Sequence, residues 1–108
     1  MPKANKQGYL KSAQSAASRF QEYGAIRVME TWSEYIPDGK VTDFKRAVQA
    51  KDDEAIVFSW IEWPDKQMYD AATKKMEPDP RWKEMPEMPF DGSRMIWGGF
   101  EPIFDTDA

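Results

Sequence analysis

Two carboxylates stand where strand-like stretches are otherwise apolar. Ala25 to Trp32 alternates with a two-residue period, which places Ile26, Val28, Glu30 and Trp32 on one face and Arg27, Met29 and Thr31 on the other. Ala55 to Trp63 does the same, with Ile56, Phe58, Trp60 and Glu62 on one face and Val57, Ser59, Ile61 and Trp63 on the other. A carboxylate held among apolar side chains has a raised pKa and can act as a general acid or base, which makes Glu30 and Glu62 candidate catalytic residues. The plainer reading puts each at a strand end, solvated or paired with Arg27 or Arg94, and structural ion pairs of this kind are common.

Arg94 follows the turn Phe90-Asp91-Gly92-Ser93. A guanidinium at a strand entrance could hold a carboxylate or an enolate through two parallel bonds, whereas the plainer role is a salt bridge to Asp91 or Glu101. Trp32, Trp60, Trp97 and Phe100 are the candidates for lining a site for a flat apolar ligand. A core and a dimer interface would draw on the same residues, as they would on Trp63 and Trp82, and that use is the more general one. Tyr9, Tyr23, Tyr35 and Tyr69 could donate protons, with nothing in the sequence to rank them. Gly98-Gly99 lies in a strand pattern with no helix after it, so it is not a phosphate loop.

Composition narrows the chemistry further. The chain has no cysteine and no histidine, which removes disulfides, thiolate nucleophiles, the commonest metal ligands and the side chain best suited to proton transfer near neutrality. No metal or other cofactor is expected, and a haem-degrading site built on a histidine ligand is ruled out. A formal charge of -4 argues against a nucleic-acid partner, because phosphate binding needs a concentrated basic surface and Lys3, Lys6 and Lys11 are too few to make one. At 108 residues, 41% of them hydrophobic, the chain suits one domain over residues 1–108 with one core. No apolar run approaches the ~18 residues of a membrane span, and Met1 to Gln7 is basic and polar without a signal-like segment behind it, so the expected location is the cytoplasm.

These residues must be positioned by a small set of elements. Tyr9, Ala13, Ala16, Phe20 and Tyr23 recur every three or four residues and predict an amphipathic helix that Gly24 closes. The strand over 25–32 follows. Next come a Pro37-Asp38-Gly39 turn, a stretch from Asp43 to Ala50 of uncertain type, an acidic turn at Asp52-Asp53-Glu54 and the strand over 55–63. Asp65 can cap a second helix running to about Glu77, with Met68, Ala72 and Met76 as its stripe and Pro78 and Pro80 forbidding its continuation. A short turn is possible over 81–85, Pro86 to Gly92 is irregular, and Arg94 to Phe104 reads as a last strand interrupted at Gly98-Gly99. The order helix, strand, strand, helix, strand is α+β, an antiparallel sheet with two helices on one face. Two helices cannot cover both sides of a sheet carrying Phe58, Trp60, Trp63, Met95, Ile96, Trp97 and Phe100, so a homodimer is expected.

Three blocks carry a resemblance: Ile36-Pro37-Asp38-Gly39-Lys40-Val41-Thr42-Asp43-Phe44, Val57-Phe58-Ser59-Trp60-Ile61, and Met88-Pro89-Phe90-Asp91-Gly92-Ser93-Arg94-Met95-Ile96-Trp97-Gly98-Gly99-Phe100-Glu101. In this order they resemble the YbaA-like family of uncharacterised bacterial proteins, domain of unknown function 1428, over nearly the whole chain from Pro2 to Glu101. The resemblance implies a ferredoxin-like unit of the dimeric α/β-barrel type and no established activity. Members of that family begin with a short apolar strand just before the Pro-Lys dipeptide. This chain starts at Met1-Pro2-Lys3 without it, so a longer natural product, a fragment, a misassigned start or a rearranged sheet is expected.

Two functions follow as expectations. One is binding or cofactor-independent conversion of a small apolar or aromatic molecule in a pocket between sheet and helices. It rests on the oxygenases and isomerases found among dimeric α/β barrels, an analogy of fold alone. The other is a non-enzymatic dimeric interaction or stress-associated module, with the aromatic residues spent on packing. A pocket of about 300 Å³ or more with Glu30, Glu62 or Arg94 pointing inward favours the first, and a closed core filled by Trp and Met the second. Whether the protein is an enzyme is left open by the sequence.

Overall fold

A computed structural model describes residues 1–84 and 90–107, with side chains except those of residues 83 and 84. The chain is α+β, with a two-stranded antiparallel sheet. After a turn of 3-10 helix at Lys3–Asn5 comes α1, Lys6–Glu22, with Tyr9, Ser12 and Ala13 buried. Gly24 ends it with φ of +113°, a conformation that favours glycine, and a Cβ there would stand 2.8 Å from Met68 Sδ.

The strands β1, Arg27–Trp32, and β2, Val57–Glu62, pair with Arg27 opposite Glu62, Met29 opposite Trp60, Glu30 opposite Ser59 and Thr31 opposite Phe58. Between them α2, Phe44–Ala47, resolves the uncertain stretch as one helical turn, capped by Asp43, whose carboxylate accepts from the Arg46 N–H at 2.8 Å. Asp65 caps α3, Lys66–Met76, in the same way, accepting from the Met68 N–H at 2.8 Å. The short α4, Arg81–Glu84, lays Trp82 against Phe20 of α1, ring centroids 5.3 Å apart. The expected turn over 81–85 runs past the described residues at Met85, and the expected irregular stretch from Pro86 to Gly92 lies outside them as far as Pro89.

Helix α1 covers the sheet face of Val28, Glu30 and Trp32. Helix α3 sets Met68 against Gly24, and its Ala72 is 1% exposed. The buried apolar residues Tyr9, Ala13, Ala25, Ala55, Ile56 and Ala72 are mostly small, so this core is thin.

The last expected strand does not form. Gly92–Arg94 is a 3-10 turn, and Met95 to Asp107 carries no regular structure. Its large apolar residues stand in solvent, from 56% exposed at Met95 to 95% at Ile103. A strand exists only where a neighbour completes its ladder, and here Gly98-Gly99 and the donor-free Pro102 further weaken the stretch.

A bridge between Pro2 and Glu54 lies next to the sheet, with the Lys3 N–H donating to Asp53 O at 3.0 Å and the Ala55 N–H to Met1 O at 2.7 Å. Because the Ser33 N–H donates to Ile56 O at 2.8 Å on the β1 side, Ala55 and, by alternation, Val57, Ser59 and Ile61 direct their backbone groups away from β1. Among the described residues no strand pairs with that edge of β2.

Candidate functional site

Four places bring together polar or aromatic groups, and three of them hold candidate residues. Between α1 and the sheet, the Tyr9 hydroxyl donates to the Glu30 carboxylate at 2.5 Å. The Tyr9 ring lies 6.4 Å from that of Trp32 and 6.1 Å from that of Phe90, and the Lys6 ammonium stands 5.6 Å above the Trp32 ring. Burial, and then the hydrogen bond to Glu30, push the Tyr9 phenol well above the ordinary tyrosine range. Tyr9 is thus a strongly held neutral donor, a role that its place in the helical stripe did not distinguish from core packing.

On the opposite face of the sheet Phe44, Phe58 and Trp60 form a row, with ring centroids 6.2 Å and 5.9 Å apart and each consecutive pair edge-to-face. They are 51%, 55% and 41% exposed. Glu62 closes the row, accepting from Trp60 Nε1 at 2.9 Å and lying 3.8 Å from the Arg27 guanidinium.

Arg94 forms a third cluster. Its guanidinium donates to both Glu54 oxygens, at 2.8 Å and 2.7 Å, to Asp91 at 3.0 Å and to Gln49 O at 2.9 Å. The Arg94 bonds, first among several causes, hold the Glu54 carboxyl well below the usual carboxylate range. Asp91 is likewise lowered, chiefly by its bonds from the Ser93 hydroxyl and N–H. Glu54, in the acidic turn before β2, is the partner that sequence spacing could not supply, since forty residues separate the two.

A fourth place is an open concavity of about 430 Å³ lined by Asp38, Gly39, Asp43, Lys45 and Arg46. Its polar groups serve one another. Arg46 donates to Asp43 at 3.1 Å, to Val41 O at 3.2 Å and to Gly39 O, and Lys45 lies 3.8 Å from Asp38.

Glu30, Glu62 and Arg94 therefore stand in separate places, each with partners. The proposed ligand-lining set is also dispersed. Trp32 is on the helix-covered face, Trp60 is on the open face, and Trp97 and Phe100 are in the exposed C-terminal segment, 82% and 93% accessible. Among the described residues no cluster of acidic side chains suited to a metal ion occurs, and no helix is long and apolar enough to cross a membrane.

The chain matches the family described as a protein of unknown function, DUF1428, over residues 1–92. It is 55% identical over 106 residues to the uncharacterized protein YbaA of Escherichia coli strain K12, covering 97% of this chain and 91% of the relative. The uncharacterized YbaA proteins of Escherichia coli O157:H7 and Shigella flexneri match to the same extent. None of these descriptions carries an activity. With a matching family model over most of its length and relatives at this identity, the chain belongs to the DUF1428 family of bacterial proteins of unknown function.

Proposed function

We propose that this protein is a homodimeric interaction module, a single cytoplasmic domain whose open sheet face is covered by a second copy. The observation that carries this reading is the row Phe44, Phe58 and Trp60, a contiguous aromatic surface on the sheet face opposite α1. Surfaces of this kind mark association sites, and a twofold axis brings one patch against its own copy. Two such sheets face to face would correspond to the ferredoxin-like, dimeric α/β-barrel arrangement that the family resemblance implies. The candidate carboxylates and the Arg94 guanidinium support the same reading, because each is engaged by a neighbour in its own chain.

Sedimentation of the wild-type chain and of Phe58→Glu with Trp60→Glu tests it. The expected result is twice the 12.6 kDa chain mass for the wild type and the single mass for the variant. A wild-type chain that sediments as a monomer at every concentration ends the proposal.

A second reading rests on the Tyr9–Glu30 pair. A phenol held neutral beside a carboxylate and flanked by Trp32 and Phe90 could grip a small apolar or aromatic molecule bearing one polar group. Native mass spectrometry of the protein from its own cells should then show a retained compound that Tyr9→Phe releases. An unchanged ligand-free spectrum removes this reading.

A further inference from the structure

The open face of the sheet is apolar at one end and charged at the other. Register sets Thr31 beside Phe58, Met29 beside Trp60 and Arg27 beside Glu62, and alternation directs these six residues away from the α1 side. Phe44 extends the aromatic end, its ring 6.2 Å from that of Phe58. The charged end is one cation and one anion on neighbouring strands. Arg27 and Glu62 stand 3.8 Å apart with side chains 56% and 42% exposed, which leaves both accessible to a partner. Among the described residues the Arg27 guanidinium makes no hydrogen bond, so its donors are free for a further acceptor.

A second copy can cover this face in few ways, and charge separates them. Sheets packed face to face stand about 10 Å apart with their strands roughly aligned, a gap that Arg and Glu side chains from opposite sheets can bridge. A twofold axis across the strands lays the Arg27–Glu62 end of each copy over the Thr31–Phe58 end of the other. That takes an ion pair out of water against apolar groups, at a net cost. An axis running over β2 sets Glu62 against the partner's Glu62, and one over β1 sets Arg27 against the partner's Arg27, like charges in both cases. An axis parallel to the strands and midway between them lays β1 over the partner's β2. Arg27 of each copy then faces the partner's Glu62, Met29 faces the partner's Trp60 in a sulfur–aromatic contact, and Thr31 faces the partner's Phe58. We infer that the dimer has this last geometry and that Arg27 and Glu62 are the residues that fix its orientation. This inference rests on the homodimer proposed above.

Reversed charges test the orientation. Arg27→Glu leaves two acidic residues at the charged end, and Glu62→Arg leaves two basic ones. The reversal costs each chain the same in any assembly, so a preference between assemblies reports the contact between copies. Native mass spectrometry distinguishes the two variants by mass, alone and mixed in equal amounts, beside the wild type. Each variant alone is expected to dimerise at least about tenfold more weakly than the wild type. The mixture should form the mixed dimer in preference to either homodimer, and the chain carrying both reversals should dimerise as the wild type does. A wild-type dimer whose variants pair statistically overturns the orientation and leaves the face-to-face dimer standing. A wild-type monomer overturns both. Arg27→Gln and Glu62→Gln, which place no like charges within a chain, take over if a reversed chain does not fold. Each must then weaken the dimer, and the two together no more than either alone; losses that add, or no loss, overturn the orientation.

Discussion

Arg94 and Glu54 are joined by two bonds, of 2.8 Å and 2.7 Å, that close a loop of forty residues and fix the start of β2 to the turn before the C-terminal arm. Arg94 is 22% exposed in its side chain and Glu54 6%. A forked, charge-assisted contact of this kind is specific to guanidinium geometry. Arg94→Lys is therefore expected to lower the melting temperature measurably although charge is kept, and Arg94→Ala to lower it further. Equal melting curves for wild type, Lys and Ala variants would show that the pair contributes nothing.

Acid should destabilise the protein. Glu54 and Asp79 both titrate below their ordinary values of 4.5 and 3.8, Glu54 chiefly through Arg94 and Asp79 chiefly through Arg81. A carboxylate lowered on folding contributes stability that is present above its unfolded pKa and is lost as pH falls towards its folded one. Urea midpoints should accordingly be flat near neutrality and fall from about pH 5 downward. In Arg94→Ala the acid slope should be shallower, and a slope equal to that of the wild type would separate Glu54 from the effect.

Base should destabilise it as well, through a different residue. Tyr9 is raised above its ordinary 10.0, so its contribution is complete below that value and is lost as pH rises through it towards the folded pKa. Tyr9→Phe removes the bond to Glu30 and should cost about 1 kcal/mol near neutrality, while flattening the alkaline limb of the stability profile. Ultraviolet titration that finds all four tyrosines ionising together near their ordinary value would contradict this.

Gly24→Ala should cost about 1–2 kcal/mol, because the positive φ and the close approach of Met68 both oppose a Cβ. Adding Met68→Ala should recover part of the loss if the contact contributes, and none if backbone conformation accounts for all of it.

Asp65→Ala should destabilise by about 1 kcal/mol through loss of the α3 cap, with Asp65→Asn close to wild type. Chemical denaturation of the three chains measures the order, and a wild-type midpoint for Asp65→Ala would mean that the cap contributes nothing.

Local signals proved the legible part of this fold. The helix stripe from Tyr9 to Tyr23, the alternation in the two strands, the Asp65 cap and the closing Gly24 each depend on residues a few positions apart, and the elements lie where those signals put them. The expected strand from Arg94 to Phe104 failed for the complementary reason. An apolar run favours a conformation that a ladder partner must then stabilise, and among the described residues none pairs with it. The site was less legible still. Trp32 and Trp60 look alike in sequence, but a two-residue period in antiparallel register puts them on opposite faces of one sheet. Glu54 gave no signal because an acidic turn reads as solvated, and only a contact across forty residues makes it an anchor.

The bridge of Pro2 to Glu54 has a practical consequence for anyone handling this protein. Met1 to Lys3 run antiparallel to residues 53–55 on the outer side of the sheet, so the first residue placed ahead of Met1 would face Ile56 and the second Val57. An amino-terminal affinity tag would thus run along the edge of β2 that no strand pairs with among the described residues. Tagged and untagged preparations are then different molecules as far as assembly is concerned, and oligomer masses should be compared only with the tag at the other end or removed.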